Sequence, residues 1–271
     1  MVGCWINGEA SQSVTIGDRG LQYGDGLFET IAVTPRGPRL LGRHLARLAC
    51  GAAVLGIPLP DEAILRLDIE RAAALSGAGI VKLLLTRGSG GRGYRPPPHA
   101  APNRVVMSFA PPDYPAAYAQ DGVAVRTCQT RLAEQPALAG LKTLNRLEQV
   151  LARAEWQGAD PWEGLMLDTS GRVVCGTMTN VFCVRDGAWR TPALTRCGVA
   201  GVVRAALLDE LVAAGTPCTV ADLTPADLLD ADEILLTNAL AGVLPVRRLD
   251  GVDFRPGAAV RWAQGILARQ S

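Results

Sequence analysis

A proline-rich stretch near the middle of the chain divides the sequence into two parts. Residues 111–115 read Pro-Pro-Asp-Tyr-Pro, and proline both ends regular structure and stiffens a connecting segment. On each side, short apolar runs typical of strands alternate with longer segments whose apolar residues recur at helical spacing. A chain of 271 residues that is 48% hydrophobic can bury one large core or two modest cores. We predict an α/β protein with domains at residues 1–112 and 121–271 and a linker at residues 113–120.

The charge and cysteine patterns argue against several classes of protein. The 27 basic and 26 acidic side chains leave a net charge of +1, which offers no field for a nucleic acid or an anionic membrane surface. No apolar run approaches membrane-spanning length, and the N-terminus does not read as a signal peptide. The seven cysteines include no C-x-x-C pair, and the two histidines lie far apart. We expect a cytoplasmic protein with reduced cysteines, a small-molecule partner and no metal site.

Lysine is rare in this chain, since only Lys82 and Lys142 are found among the 27 basic residues. A lysine amine can lose its proton and act as a nucleophile, whereas an arginine in effect cannot. Lys82 falls within an apolar strand pattern, where it is expected to be an edge polar residue. Lys142 stands just before a predicted helix that runs to about residue 156, with apolar positions at Leu144, Leu147, Val150 and Leu151. Lys142 is the candidate nucleophile, and a surface lysine at a helix start is the alternative.

Two glycine-rich segments could bind anions. Residues 87–98 read Arg-Gly-Ser-Gly-Gly-Arg-Gly-Tyr-Arg-Pro-Pro-Pro, a composition that excludes helix and strand. Its arginines suit bidentate capture of a carboxylate, although a flexible solvated lid is an equal reading. Residues 198–201 read Gly-Val-Ala-Gly before a predicted helix that extends to about residue 213. The free amides at such a helix start form an anion site.

Two long motifs resemble those of the aminodeoxychorismate lyases, within the branched-chain aminotransferase-like class of pyridoxal-phosphate enzymes called fold type IV. They are residues 85–94, Leu-Thr-Arg-Gly-Ser-Gly-Gly-Arg-Gly-Tyr, and residues 140–151, Gly-Leu-Lys-Thr-Leu-Asn-Arg-Leu-Glu-Gln-Val-Leu. The Thr179-Asn180 loop and the helix start at Gly201 fit the same class. The resemblance implies a smaller N-terminal α/β domain, a larger C-terminal domain with a mixed barrel-like sheet, pyridoxal 5'-phosphate as cofactor, and a homodimer.

The resemblance also implies roles for individual residues. Lys142 would bind the cofactor covalently and then act as the general acid and base. The other cofactor-binding candidates that the resemblance implies are Arg47, Cys175, Thr179, Asn180, Gly201, Val202, Val203 and Asn238. The implied substrate-binding candidates are Thr30, Arg92 and Tyr94.

Cys175 departs from the family pattern, which places a glutamate there to keep the pyridine nitrogen of the cofactor protonated. A neutral thiol is a weak hydrogen-bond partner that would not stabilise a pyridinium. We hypothesise that Cys175 weakens the electron sink of the cofactor and disfavours transamination relative to elimination. The alternative is that Cys175 is out of register and only packs.

The function that the resemblance implies is elimination of pyruvate from 4-amino-4-deoxychorismate to give para-aminobenzoate. An aminotransferase of the same fold, acting on D-amino or branched-chain acids, is the second hypothesis. A non-catalytic α/β protein that binds a small molecule is the third, because one fold can host many functions.

Overall fold

The computed structural model describes residues 1–270 and divides them into two compact units. The first unit contains Met1–Asp113 and Leu141–Asn145, and the second contains Tyr114–Gly140 and Arg146–Gln270. Each unit has its own sheet and helices, so the predicted α/β class is confirmed. The domain limits drawn from the sequence stay a prediction. No local pattern in the sequence indicates that residues 141–145 belong with the N-terminal part.

The first unit is built on a six-stranded antiparallel sheet. Its strands are β1 (Gly3–Ile6), β2 (Glu9–Ala10), β3 (Gly26–Thr34), β4 (Gly37–Pro38), β5 (Ile80–Thr86) and β6 (Asn103–Phe109). Their spatial order is β2-β1-β6-β5-β3-β4. The helices are α1 (Arg19–Tyr23), α2 (Leu41–Leu55) and α3 (Glu62–Ser76). The Asp61 side chain accepts from the Ala63 amide and fixes the start of α3. The core is formed by apolar side chains of the sheet and of α2 and α3, among them Leu27, Ile31, Leu48, Leu65 and Ile69.

The second unit is built on a mixed sheet. Its strands are β7 (Val123–Leu132), β8 (Glu163–Asp168), β9 (Val173–Gly176), β10 (Asn180–Arg185), β11 (Ala188–Pro192), β12 (Thr219–Ala221), β13 (Glu233–Asn238), β14 (Gly242–Leu249) and β15 (Val252–Asp253). The order is β12-β11-β10-β13-β14-β7-β8-β9, with β15 beside β14. The pairs β11–β12, β14–β7 and β7–β8 are parallel, and the other pairs are antiparallel. The helices are α4 (Ala116–Gln120), α5 (Leu147–Arg153), α6 (Val202–Ala213), α7 (Pro225–Leu229) and α8 (Ala258–Arg269), with a 3₁₀ turn at Pro136–Leu138.

The stretch predicted as a linker contains a helix. Residues 116–120 form α4, and Tyr114 and Tyr118 pack edge-on against Trp162 with ring centroids 5.9 and 6.1 Å apart. These aromatic contacts bury one side of the stretch in the second unit.

The helix predicted after Lys142 begins later than its apolar spacing suggests. The Leu144 amide donates to the Gly26 carbonyl at 3.0 Å, and the Phe28 amide donates to the Lys142 carbonyl at 3.0 Å. Residues 142–144 are therefore extended against β3, because pairing with a distant strand outweighs local helical preference. The helix α5 starts only at Leu147. Three of its apolar side chains are exposed: Leu147 by 76%, Val150 by 61% and Leu151 by 61%.

Candidate active site

Strand β3 places Lys142 on one of its two faces. Burial alternates along β3, so Phe28 and Thr30 share the face opposite to the buried Leu27 and Ile31. The side-chain nitrogen Nζ of Lys142 lies 4.1 Å from the centre of the Phe28 ring. The predicted nucleophile and the predicted substrate-binding Thr30 thus lie on the same side of this strand.

Lys82, the other lysine of the chain, is also directed to Phe28. It lies on β5 directly opposite Thr30, and its Nζ is 5.4 Å from the centre of the Phe28 ring. The sequence predicted only an edge polar residue here. The pairing register of β3 and β5, which no local pattern specifies, brings Lys82 to the same aromatic ring as Lys142.

A buried carboxylate occupies the opposite face of β3. Glu29 is 1% exposed and accepts hydrogen bonds from His44 Nδ1 at 2.6 Å and from Arg47 Nε at 2.8 Å and Nη2. His44 and Arg47 are three residues apart on α2 and so share one helix face. The carboxylate therefore fixes the guanidinium of Arg47, which the sequence predicted as a cofactor ligand.

The protonation states of this cluster follow from its surroundings. Burial disfavours the charged form of Glu29, but the hydrogen bonds from His44 and Arg47 outweigh burial and hold its pKa below the ordinary value. Burial lowers the pKa of His44, so the ring is neutral and its Nδ1 carries the proton that Glu29 accepts. The other ring nitrogen, His44 Nε2, is buried without a hydrogen-bond partner among residues 1–270.

Arg92 and Tyr94 lie on the connection between β5 and β6 in the first unit. Both side chains are exposed, Tyr94 by 86%. Both lie in the segment that the sequence predicted as irregular.

In the second unit, helix α6 begins without a side-chain cap. Gly201 is its N-cap residue. The amides of Val202 and Val203 in the first turn have no acceptor within the helix. Asn180 Oδ1 accepts from the Gly201 amide at 3.0 Å, and Asn180 Nδ2 donates to the Val199 carbonyl at 2.9 Å. Any Cβ at Gly201 would collide with Asn180 Oδ1, so glycine is required for this close approach.

A second buried carboxylate, Glu163, supports the loop before Asn180. It is fully buried and accepts from the Gly164 amide at 2.9 Å, the Thr177 and Met178 amides at 3.1 Å each, and the Thr179 hydroxyl at 3.0 Å. Burial raises the pKa of Glu163 despite these bonds. The structure thus brings Thr179, Asn180, Gly201, Val202 and Val203 into one neighbourhood of the second unit.

Two further predicted residues occupy different surroundings. Cys175 on β9 is buried in a cluster that includes Cys128, Met166 and Cys197. Burial raises the pKa of the Cys175 thiol, so the group is neutral at physiological pH. Asn238 ends β13, where its Oδ1 accepts from the amides of Leu240 and Ala241 at 2.9 and 2.6 Å and shapes the turn that follows.

Residues 1–270 contain no group of three or more His, Cys, Asp or Glu side chains arranged to hold a metal ion. Over the same residues, every helix is too short or too polar to span a bilayer.

Comparison with known proteins gives concordant matches over nearly the whole chain. The model of the family described as amino-transferase class IV matches residues 26–249. The aminodeoxychorismate lyase of Vibrio harveyi is 40% identical over 269 residues, covering 97% of this chain and 98% of the relative. The crystal structure of 4-amino-4-deoxychorismate lyase from Pseudomonas aeruginosa superposes with a TM-score of 0.94 at 50% identity, covering 98% of both chains. A putative branched-chain-amino-acid aminotransferase of Methanocaldococcus jannaschii is 32% identical over 256 residues, covering 91% and 88%.

Proposed function

Because this chain belongs to the amino-transferase class IV family, we propose that it is a pyridoxal-phosphate-dependent lyase that converts 4-amino-4-deoxychorismate to para-aminobenzoate and pyruvate. The observation that carries this choice is the 50% identity to the Pseudomonas aeruginosa lyase over 98% of both chains. The match to a putative aminotransferase is weaker, at 32%. The fold type IV architecture inferred from the sequence agrees with the antiparallel first sheet and the mixed second sheet.

The residues of the chain fit the proposed cofactor. Lys142 supplies the primary amine that would bind it covalently. The uncapped start of α6, with Gly201 held against Asn180, offers the free amides of Val202 and Val203 to a phosphate. Arg47, oriented by Glu29, supplies a guanidinium suited to the same kind of anion. When bound, pyridoxal 5'-phosphate supplies an electron sink that stabilises negative charge at the substrate carbon bearing the amino group.

Lys142 would move the proton that starts the reaction. Its amine would remove the proton from the ring carbon that carries the amino group of the substrate. The bond from the neighbouring ring carbon to the enolpyruvyl oxygen then breaks, and the ring becomes aromatic. The three-carbon group leaves as enolpyruvate, which becomes pyruvate when its methylene carbon takes up a proton. The cationic Lys82, beside Thr30, would hold a substrate carboxylate on this face of β3. Arg92 and Tyr94, on the loop between β5 and β6, are the proposed ligands of a substrate carboxylate.

Cys175 fits the proposed preference for elimination. Its buried neutral thiol gives no negative charge with which to stabilise a protonated pyridine nitrogen. We propose that Cys175 in this way weakens the electron sink of the cofactor and disfavours transamination relative to elimination.

Lys142→Arg is the sharpest test of the reaction. Arginine keeps a cation at the Phe28 ring but cannot act as the amine or the base. The wild-type protein, given the cofactor and aminodeoxychorismate generated by its synthase, should release para-aminobenzoate, which is followed by fluorescence. Lys142→Arg and Lys142→Ala should release none while their circular dichroism stays native.

Product formation by Lys142→Arg at the wild-type rate would refute the role of Lys142. A wild-type protein that makes no para-aminobenzoate, but transfers amino groups from D-alanine or leucine to a keto acid, would favour the aminotransferase. Absence of visible absorption after incubation with the cofactor would favour the non-catalytic binding protein.

We also propose a homodimer in solution. The exposed apolar side chains of α5, Leu147, Val150 and Leu151, are typical of a surface that another protein covers. Sedimentation equilibrium should give twice the mass of one chain, and a monomer across micromolar concentrations would contradict this expectation.

A further inference from the structure

The connection between β5 and β6 is anchored to the segment that carries α1. The Arg19 amide donates to the Gly88 carbonyl at 2.9 Å, and the Gly90 amide donates to the Gly17 carbonyl at 3.2 Å. The Gly93 amide donates to the Tyr23 hydroxyl at 3.2 Å. A glycine-rich loop of this composition would move freely without such contacts. Its first half is instead fixed from Gly88 to Gly93 by residues 17–23.

Arg19 makes the contacts nearest to the proposed substrate ligands. Its side chain is 3% exposed and donates from Nη1 to the Gly93 carbonyl at 2.9 Å and from Nη2 to the Tyr94 carbonyl at 3.1 Å. The guanidinium carbon also lies 4.8 Å from the centre of the Tyr23 ring. Two parallel donations to consecutive carbonyls require the planar fork of arginine, which lysine cannot reproduce.

Asp25 and Arg87 hold Arg19 in this position. Arg19 Nε donates to Asp25 Oδ2 at 2.9 Å, and Arg87 donates to the same carboxylate from Nε at 2.7 Å and Nη2 at 3.0 Å. Arg87 is itself tied to the end of α2 through the Leu55 and Gly56 carbonyls, at 2.7 Å each. The charge of Asp25 compensates the burial of both guanidinium groups.

The hydrogen bonds from Arg19 hold the backbone of the loop, while the side chains of Arg92 and Tyr94 remain exposed. The carbonyls of Gly93 and Tyr94 are held, whereas the Tyr94 side chain is 86% exposed and Arg92 is exposed too. The Tyr94 ring packs against the Tyr23 ring in a T-shaped arrangement, with centroids 5.5 Å apart. A ligand that approached this loop would meet two side chains whose backbone is already ordered, and so would not have to order the loop itself.

We propose that Arg19 is a positioning residue that holds the backbone of residues 93–94 and so presents Arg92 and Tyr94 to a carboxylate of the substrate. This inference rests on the proposed lyase function. Arg19 itself does not touch the substrate. Loss of Arg19 therefore weakens substrate binding more than it slows conversion of the bound substrate.

Arg19→Lys tests this role, with Arg71→Lys as the matched control. Arg71 also lies in the first unit, donates to a backbone carbonyl, that of Gly8, at 3.0 Å, and lies 5.5 Å from an aromatic ring, that of Trp5. In Arg19→Lys we expect KM for aminodeoxychorismate to rise about tenfold, on the scale of lost hydrogen bonds to a charged donor, with kcat within about threefold. Trypsin should cut after Arg92 at least about tenfold faster than in the wild type, because a released loop exposes that bond. Arg71→Lys should change neither quantity.

Tyr23→Phe provides a second route if Arg19→Lys does not fold. It removes the hydroxyl that accepts from the Gly93 amide and leaves the fork of Arg19 in place, so cleavage after Arg92 and KM should both rise by a smaller factor. Cleavage and KM of Arg19→Lys equal to those of Arg71→Lys would overturn the proposal. Faster cleavage with unchanged KM would also overturn it, and would leave the lyase function standing. If the wild type makes no para-aminobenzoate, the lyase function fails, and the cleavage rates alone decide whether Arg19 holds the loop.

Discussion

Each unit of this protein buries one glutamate next to its candidate site, and the two are satisfied in different ways. Glu29 meets the guanidinium of Arg47 and the ring of His44. Among residues 1–270, Glu163 accepts hydrogen bonds only from neutral donors, which are backbone amides and the hydroxyls of Thr177 and Thr179. The pKa of Glu29 is held below its ordinary value, whereas burial raises the pKa of Glu163.

This difference separates two uses of a buried carboxylate. Paired with a cation, it fixes where that cation points, and its removal leaves a charge without its counter-ion. Surrounded by amides and hydroxyls, it organises a turn of the backbone, here residues 177–179. The arrangement around Glu29 requires a negative charge on the glutamate, while the arrangement around Glu163 requires only that the carboxyl oxygens accept hydrogen bonds.

Glu29→Gln should have the largest effect. Removing the negative charge from beside the partly buried Arg47 should lower the free energy of unfolding at pH 7 by about 3–5 kcal/mol and weaken cofactor binding. Urea unfolding and cofactor titration measure the two losses. Glu62→Gln is the matched control in the same unit, because Glu62 pairs with Arg66 on the surface of α3 and should cost less than about 1 kcal/mol.

The pH dependence of the Glu29→Gln effect has a definite sign. The pKa of Glu29 is lower in the folded state than its ordinary value, so the carboxylate stabilises the fold above its unfolded pKa of about 4.3. The stability gap between wild type and Glu29→Gln should stay constant from pH 8 to about pH 5 and shrink as the pH falls further. A gap that grew on acidification would mean that Glu29 is not the charged partner of Arg47.

Glu163→Gln should have a smaller effect with the opposite pH dependence. Glutamine keeps one acceptor oxygen but turns an amide group toward donors, which should cost about 1–3 kcal/mol. Because the pKa of Glu163 is raised in the folded state, the wild-type advantage is full below the unfolded pKa and is lost as the pH rises through the folded pKa. Urea unfolding between about pH 4 and pH 8 should therefore show that the difference in free energy of unfolding between wild type and Glu163→Gln becomes smaller as the pH rises.

Glu155→Gln is the control for that sign. Burial opposes the ionisation of Glu155, but hydrogen bonds from the Thr130 and Gln129 amides lower its pKa. The stability difference between wild type and Glu155→Gln should therefore persist as the pH rises. Equal pH profiles for Glu155→Gln and Glu163→Gln would remove the distinction drawn between the two buried carboxylates.

The sequence predicted those parts of the site that depend on local pattern. The rare Lys142 and the glycine start of α6 could both be read from composition and spacing. The pairing of residues 142–144 with β3, and of Lys82 with Thr30, depends on strand register over long separations and left no local signal. Glu29 did leave one, since alternation along β3 places it on the same face as Leu27 and Ile31, where a charge must find a buried partner.

His44→Asn should have the smallest effect and shows what the ring contributes beside Glu29. The asparagine amide can donate to Glu29 as His44 Nδ1 does at 2.6 Å, and the change removes Nε2, a buried nitrogen without a partner among the described residues. The substitution removes the cost of burying this nitrogen, which should offset most of the packing lost with the ring. The free energy of unfolding at pH 7, measured with urea, should therefore change by about 1 kcal/mol or less. His44→Ala, which also loses the donor, should cost about 1–3 kcal/mol more. If His44→Asn proved as damaging as Glu29→Gln, the orientation of Arg47 would depend on the imidazole ring as well as on the carboxylate charge.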